Sequence, residues 1–459
     1  MMKAYLLADF GSTYTKLTAI DIEKAEIIST SRTITTVETD IMRGFNQAVD
    51  KLKLPKNVDF VKTLACSSAA GGLKMFAVGL AKNLTVEAAK RAALGAGARL
   101  IKVYSYELKD SDIKEIETGN ADIILLCGGT DGGNYKNIIY NAHMLSKINL
   151  KVPVVIAGNK DASEEIKRIF DEKNIESVIT ENVMPEVNTL NSEPVREAIR
   201  ELFMKHITEA HGMNHVRGLI DGILMPTPAA VIKAAKLISC GTDKENGLGD
   251  TMVLDIGGAT TDVHTIGYGL PEDNEIRFEG MREPFEKRTV EGDLGMRYSA
   301  VSLYEAVGEN GIKKYLKENY DIKAECKRRA ENIKMIPQNE YEETFEEAMA
   351  KACVHLSVER HAGTLRKEFT GQRNIIYQKG KDLSEIHVVI GTGGVIINSL
   401  HPKEILKECE KDKADERKLK IEKADYYLDK EYILSAIGLL SMNMPEIALK
   451  TALKYIVKI

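Results

Sequence analysis

Apolar and polar positions follow two rhythms along the 459-residue chain. Short apolar runs bounded by glycine, proline or acids read as strands, and stretches with apolar residues three and four apart read as helices. The two kinds interleave from end to end, which predicts an α/β protein rather than segregated α and β halves. Between Asn83 and about Met213 the rhythm is regular. LTVEAAKRAALGAGA, KNIIYNAHMLSKI, SEEIKRIFDEK and SEPVREAIRELFMKHI read as helices, the last with Ser192 as N-cap; ADIILLCGG, VPVVIAG and IESVIT read as strands. Together they make three or four βα units, a small domain complete in itself.

After this region GILMPTPAAVIKAAKLIS ends in an Ala-rich, close-packed helix, and TMVLDIGGATTDVHTI reads as a strand, a glycine turn and a second strand. GYGLPEDNEIRFEG is a hairpin or surface loop. From about 296 to 370 the chain reads as largely helical, with NEYEETFEEAMAKA as a solvated helix face. IHVVIGTGGVI is a further strand running into glycines, and KECEKDKADERKLKIEKAD a solvated helix or loop.

Composition narrows the classes. The length allows about three domains. With 44% hydrophobic and 29% charged residues and a formal net charge of -5, the chain is an ordinary globular protein with no basic field for nucleic acid. Six cysteines without a CxxC pair exclude a disulfide framework and a thiolate zinc site. Lys3 precedes only a few apolar residues before Asp9, so no signal-peptide core is expected. VKTLACSSAAGGLKMFAVGLA carries two lysines and paired glycines and does not read as a membrane span. A cytoplasmic location is the expectation.

The candidate chemistry lies in an internal echo. ADFGSTYTKL at 8–17 and LDIGGATTDV at 254–263 each end a strand in Asp, then give an apolar residue, glycine, small and hydroxyl residues, and a return strand. One copy alone is an ordinary β-hairpin; two copies 246 residues apart (255 minus 9) point to a shared task. A tight glycine turn aims several backbone N–H groups at one point, and its guest is phosphate. Asp9 and Asp255 cannot themselves contact phosphate without repulsion. Their fitting role is to hold waters of a Mg²⁺ ion that bridges phosphate oxygens. Gly11, Ser12, Thr13 and Lys16 in the first turn, and Gly257, Gly258, Thr260 and Thr261 in the second, are the candidate nucleotide-binding residues. No GxxxxGK[ST] or GxGxxG motif competes. Gly391, Gly393 and Gly394 in VVIGTGGVIINS would let a base or ribose lie against the main chain. A nucleotide held in a cleft between two similar lobes is the resulting expectation.

The ordered set DFGSTYTKL, MPTPAAVIKAA, DIGGATTDV, GTGGV and YILSAIGLLS resembles the superfamily of actin, sugar kinases and heat-shock chaperone ATPases, and VEGDLGMR resembles a chaperone-ATPase segment. The resemblance implies two actin-like (ribonuclease H-like) ATPase lobes around a nucleotide cleft with an inserted α/β domain. It divides the chain into 1–83 (first part of lobe I), 84–213 (insertion), 214–249 (return of lobe I and connecting helix), 250–428 (lobe II) and 429–459 (connecting helices returning to lobe I). It also implies Asp9 and Asp255 as metal-water carboxylates and catalytic residues, Thr13 and Thr260 as phosphate-contacting hydroxyls, and the three later glycines around adenosine. Met225 stands where the chaperone ATPases carry an acid before Pro-Thr, so Asp9 or Asp255 acting through water, or Glu291 or Asp293, becomes the candidate for orienting the attacking water.

CSSAAGGLKMFAVGL, ALGAGA, GGTDGGN, KRTVEGDLGMR and VERHAG are similar to the glutamate mutase accessory family, GlmL or MutL, which is unrelated to the mismatch-repair protein of that short name. This resemblance implies a cytoplasmic, ATP- and Mg²⁺-dependent reactivating factor whose partners are subunits of an adenosylcobalamin-dependent mutase. No cobalamin site is assigned to this chain, and no nucleic acid or membrane partner is expected. A small-molecule (sugar-type) kinase and a nucleotide-gated scaffold with little turnover are the alternatives. Among other residues, GGTDGGN reads as an anion site, a mutase contact or a tight turn. His211 and His215 sit four apart, as zinc ligands on a helix would, but HGMNH lacks the intervening Glu and contains Gly and Asn, which disfavours a zinc pair. Glu359, Arg360 and His361 are lid candidates, weighed against a helix-surface role.

Overall fold

The first apolar run folds as strand β1 (Met2–Phe10), and the chain turns straight back into β2 (Tyr14–Asp21) antiparallel to it. β3 (Glu26–Ile34), helix α1 (Ile41–Lys51) and β4 (Val58–Ser67) follow, β4 lying parallel to β1. The structure is a computed structural model that describes all residues except 12–13, 35–40, 68–72, 81, 97, 188, 211–220, 272–274, 370, 372–373, 413–414 and 416. The chain divides into two units, Met1–Ile22 with Ile27–Ala230, and Glu23–Glu26 with Val231–Ile459.

A second sheet of the first unit begins immediately. It takes β5 (Leu73–Gly79), α2 (Lys82–Gly95), β6 (Ala98–Ser105), α3 (Asp110–Thr118), β7 (Ile123–Leu126), α4 (Lys136–Leu145), β8 (Val154–Ile156), α5 (Lys160–Asp171) and β9 (Ser177–Ile179). The five strands are parallel in the order β6-β5-β7-β8-β9, both faces covered by helices, as parallel sheets require. Successive residues of β5 and β7 point to opposite faces. Met75, Ala77, Ile123 and Leu125 enter a core with the alanines of α2, while Phe76, Val78, Ile124 and Leu126 enter one with α3, α4 and α5. Helix α6 (Glu193–Ala210) follows, and β10 (Gly222–Pro226) completes the first sheet beside β4, in the order β3-β2-β1-β4-β10.

Helix α7 (Thr227–Cys240) carries the chain out of the first unit. The second unit repeats the first sheet: β11 (Thr251–Ile256) and β12 (Thr261–Ile266) form an antiparallel pair. Next come β13 (Ile276–Phe278), β14 (Glu286–Glu291), α8 (Ala300–Lys313), α9 (Ile322–Glu331), α10 (Glu340–His361), β15 (Thr364–Phe369), β16 (Asn374–Lys379) and β17 (Val388–Thr392). The chain ends with α11 (Gly394–Asn398), α12 (Pro402–Leu406), β18 (Asp425–Leu428), α13 (Leu434–Ser441), α14 (Pro445–Tyr455) and β19 (Val457–Lys458). The order β14-β12-β11-β17-β18, extended by β19, matches β3-β2-β1-β4-β10 position for position. β17 and β18 lie parallel to β11 and to each other, as β4 and β10 do beside β1.

Several segments differ from the sequence-based expectations. The inserted sheet starts at Leu73, not at 84, because CSSAAGGLKMFAVG ends one strand and supplies the next. Its Met75 face shares a core with Leu6, Ala8 and Phe10 of β1, so the insertion does not close a core of its own on that side. Residues 429–459 group with the second unit, where β19 pairs with β18. GYGLPEDNEIRFEG holds β13, a strand parallel to β16 in a small three-stranded sheet. Within the charged run 407–425, Leu419, Lys420 and Ile421 are buried.

The acidic stretch at 339–352 is a central helix rather than a solvated face. α10 starts on Asn339, whose side chain accepts from the Glu342 amide at 3.0 Å, and its Phe345, Met349, Val354 and Val358 lie in the core. Glu346 is buried with them between two arginines: Arg329, fully buried, donates to Oε1 at 2.7 Å, and Arg297 donates to Oε2 at 2.9 Å. Removing the carboxylate takes from Arg297 its acidic partner and leaves the buried Arg329 with Glu325 alone, at 2.6 Å. Glu346→Ala is expected to destabilise the second unit by about 3–5 kcal/mol in urea unfolding, whereas an exposed pair such as Lys327–Glu331 is expected to contribute under about 1 kcal/mol. Equal effects of the two changes would contradict the assignment.

Candidate functional site

Each sheet ends its first strand in a turn closed by a glycine amide. Gly11 N–H donates to the Tyr14 carbonyl at 3.0 Å, and Gly257 N–H to the Thr260 carbonyl at 2.8 Å. A Cβ on Gly11 would stand 2.7 Å from the Tyr14 oxygen, and one on Gly257 3.2 Å from the Thr260 oxygen. Closure fixes the hairpin register. Asp9 sits opposite Lys16 and, on its other side, Cys66; Asp255 sits opposite Asp262 and Thr392.

A buried carboxylate stands just before the first turn. Asp9 is 4% exposed; Thr227, the first residue of α7, donates its hydroxyl to Oδ1 at 2.7 Å, and Lys16 Nζ lies 3.3 Å from Oδ2. The Cys66 thiol approaches Oδ1 at 3.6 Å, and burial, then the Asp9 charge, push its pKa well above that of an ordinary thiol. It is no nucleophile. Thr227 follows Met225 and Pro226 of β10 in the connecting segment, and Met225 is fully buried. The Thr227 contact was missed in the sequence; its only signal there is a hydroxyl directly after the Met-Pro of a strand end. Ser12 and Thr13 lie outside the described residues.

The second turn is more open at its acid and is braced from behind. Asp255 is partly exposed. Met296 and Arg297 amides donate to the Gly257 and Gly258 carbonyls at 3.0 and 2.8 Å, and the Ser299 hydroxyl donates to Ala259 O at 2.6 Å. Asp262 is held by Arg288 at 2.6 Å and accepts from Thr260 Oγ1 at 3.3 Å. Thr260 remains partly exposed at the turn. Thr261 does not: it is fully buried, and its hydroxyl donates to Leu294 O at 2.9 Å, so it braces the turn and is corrected from ligand donor to core residue.

The three later glycines separate by role. A Cβ on Gly391 would meet Ile396 and Leu406 side chains at 2.8–2.9 Å, which makes it a packing glycine of β17, not part of a ligand face. Gly393 has φ +93°, and its Cβ would stand 2.4 Å from Ile256 O and 2.9 Å from Asp255 Oδ1, so it brings the β17 end against the second turn. Gly394 faces open space. Buried Asp429, unremarked in the sequence, accepts from Thr392 Oγ1 and the Ile433 amide at 3.0 and 2.8 Å and ties this strand end to α13.

Glu291 and Asp293 are committed elsewhere. Arg360 binds Asp293 through both terminal nitrogens at 2.8 Å and Glu291 at 2.7 Å, and this hydrogen bonding holds the Asp293 carboxyl below its usual range. His361 is fully buried, its two ring nitrogens 2.8 Å from the Thr265 and Thr289 hydroxyls, which corrects it from lid or surface residue to core histidine. His211 and His215 lie outside the described residues. Among the described residues no three His, Cys, Asp or Glu side chains cluster to hold a metal, and no helix is long and apolar enough to cross a membrane.

Two sheets of the same order and sense, each an antiparallel hairpin followed by parallel strands, define the actin-like ATPase fold, here with an inserted α/β sheet. A family model described as MutL protein matches residues 5–456. "Protein MutL" of Clostridium tetanomorphum is 56% identical over 462 residues, covering 100% of both chains. The chain belongs to the MutL family, the glutamate mutase accessory family that its motifs resemble. Among solved structures it is similar to the activator of 2-hydroxyisocaproyl-CoA dehydratase from Clostridium difficile with bound ADPNP (11% identity, 98% of this chain and 97% of that one, TM-score 0.33). It is also similar to a ligand-bound xylulose kinase from Lactobacillus acidophilus (10%, 100% and 93%, TM-score 0.35). Likenesses this distant carry no functional argument.

The buried histidines have a measurable consequence. Burial holds His361 well below the ordinary value and His264 down at about 3, with Lys287 and Arg288 respectively adding to the effect. Free histidine titrates near about 6.5, so below that pH the unfolded chain takes up protons that the folded unit refuses. Stability of the second unit is therefore expected to be unaffected by these groups above about pH 6.5 and to fall below it, by about 1.4 kcal/mol per pH unit per histidine. Urea unfolding followed between about pH 7 and pH 5 checks this; a flat profile there would refute the neutral assignment.

Proposed function

We propose that this chain is a Mg²⁺-dependent ATPase that reactivates an adenosylcobalamin-dependent mutase, glutamate mutase or an amino mutase, by using ATP binding and hydrolysis to release damaged cofactor. The single observation that carries the ATPase part is the duplicated strand-end turn, with an aspartate at the same register position in two sheets of the same order. Family membership supports the choice of partner.

The residues fit hydrated Mg²⁺ and phosphate better than a bare ion. Asp9 keeps one carboxylate oxygen on Thr227 and the other near Lys16, and would hold the ion through its bound water. Gly11 and Gly257 let the two turns close, Lys16 and Thr260 are the candidate donors beside them, and Gly393 and Gly394 lie at the end of β17 beside the second turn. Bound Mg²⁺ would neutralise phosphate charge as it develops during hydrolysis. With Met225 buried and Glu291 and Asp293 paired to Arg360, Asp9 and Asp255 are the carboxylates proposed to act on the attacking water. Thr227 is a positioning residue that orients Asp9.

An ATPase cycle moves a partner only if its nucleotide states bind that partner unequally. Purified chain with Mg²⁺ and ATP is expected to restore activity and promote cofactor exchange in an inactivated mutase. Asp9→Ala or Asp255→Ala is expected to reduce hydrolysis at least about 100-fold and abolish recovery. Turnover stimulated by a sugar or small alcohol, without effect on any mutase, would instead identify a kinase. Thr227→Val, which keeps shape and removes the hydroxyl, is expected to lower kcat about ten- to hundredfold with KM for ATP little changed; unchanged kcat would remove Thr227 from the reading.

A further inference from the structure

The insertion contains a cavity that the proposed ATPase does not use. Its strand order, β6-β5-β7-β8-β9, places the first two strands in reverse and the rest in sequence. The chain therefore leaves β5 toward one face and β7 toward the other: α2 packs in the core with Met75 and Ala77, and α4 in the core with Phe76 and Val78. Diverging connections open a crevice at the carboxyl ends of the two strands, where open α/β sheets bind ligands. A cavity of about 240 Å³ lies there.

Its floor is the loop after β7. Gly128 and Gly129 have φ +138° and +73°, and a Cβ on Gly129 would fall 1.8 Å from the Asn134 carbonyl oxygen, so the loop conformation demands glycine. Asn182, 3% exposed, pins the loop by donating to Gly129 O at 3.0 Å and to Asp131 Oδ1 at 2.9 Å. The site is thus formed before any ligand arrives. The amides of Gly129 and Thr130 donate to no acceptor among the described residues. Apolar walls come from Leu80, Leu84 and Ala88 on one segment and Val183, Met184 and Val187 on another.

The lining selects against anions. Among the described residues no cationic side chain lines the cavity, the Asp131 carboxylate stands in the same loop, and the start of α4 is already served by Asn134, which accepts from the Asn137 amide at 3.1 Å. Cys127 also lines the cavity, but burial pushes its thiol up to about 12, so the site binds rather than reacts. We propose that the insertion carries a second ligand site, at the β5/β7 crevice, for an uncharged flat heteroaromatic group lying between the apolar walls and accepting hydrogen bonds from Gly129 and Thr130. This site stands independently of the ATPase reading.

Ligand-observed NMR on the full chain, with excess MgATP, tests it with two probe sets: benzimidazole, quinazolinone and adenine as neutral heteroaromatics, and inorganic phosphate and benzoate as anions. At least one neutral probe is expected to bind saturably in the millimolar range or tighter, and protein-observed amide spectra of the labelled chain are expected to show the Gly129 and Thr130 signals shifted by it. Val187→Trp, at a rim position 70% exposed, and Ala88→Leu, which adds volume from α2, are each expected to weaken that binding at least tenfold. The proposal is overturned if no neutral probe saturates, if only the anions bind there, or if binding persists unchanged in both variants.

Discussion

The structure depends on a strand-end turn in which a glycine amide reaches the carbonyl three residues ahead, at Gly11 and again at Gly257. The amide can close that distance only because no Cβ intervenes; on Gly11 it would stand 2.7 Å from the accepting oxygen. Closure sets the register of the whole hairpin, and register decides which side chains share a face. It places Asp9 level with Lys16 and Cys66 and Asp255 level with Asp262 and Thr392. The parallel strands that complete each sheet then bring chemistry from far along the chain to the same row.

The two copies have diverged in how they hold their acids. Around Asp9 the partners are a hydroxyl from the start of α7 and a lysine of the return strand, and the carboxylate is nearly buried. Around Asp255 the return strand carries Asp262, already neutralised by Arg288, and Gly393 approaches the carboxylate closely. Support behind the second turn comes from residues 292–299, whose Arg297 is in turn anchored on Glu346 and through it on Arg329. Buried charges of this kind add little net stability over apolar packing. Here the network links the turn to the central helix α10.

The insertion follows a different rule. Its sheet is wholly parallel, and its two faces read as separate cores because side chains alternate along β5 and β7. One face continues into the core beneath β1, which ties the insertion to the rest of the first unit; among the described residues no strand pairing joins the two sheets.

The duplicated turns, the α/β class and the helices of the insertion were legible because each rests on local pattern: apolar runs, glycine followed by hydroxyls, and spacing of three and four. The limits of the insertion were not, since β4 and β5 read as one weakly apolar stretch although the two strands belong to different sheets. Local pattern by itself also determined that two aspartates end equivalent strands. Only tertiary structure decided which neighbouring groups face outward: Thr261 and Gly391 turn into the core, Arg360 takes Glu291 and Asp293, His361 is sealed between Thr265 and Thr289, and Thr227 reaches Asp9 across 218 residues of sequence. The physical reason is that a side chain's role follows from its partners and its burial, and both come from strands that sequence separation keeps apart until the sheets assemble.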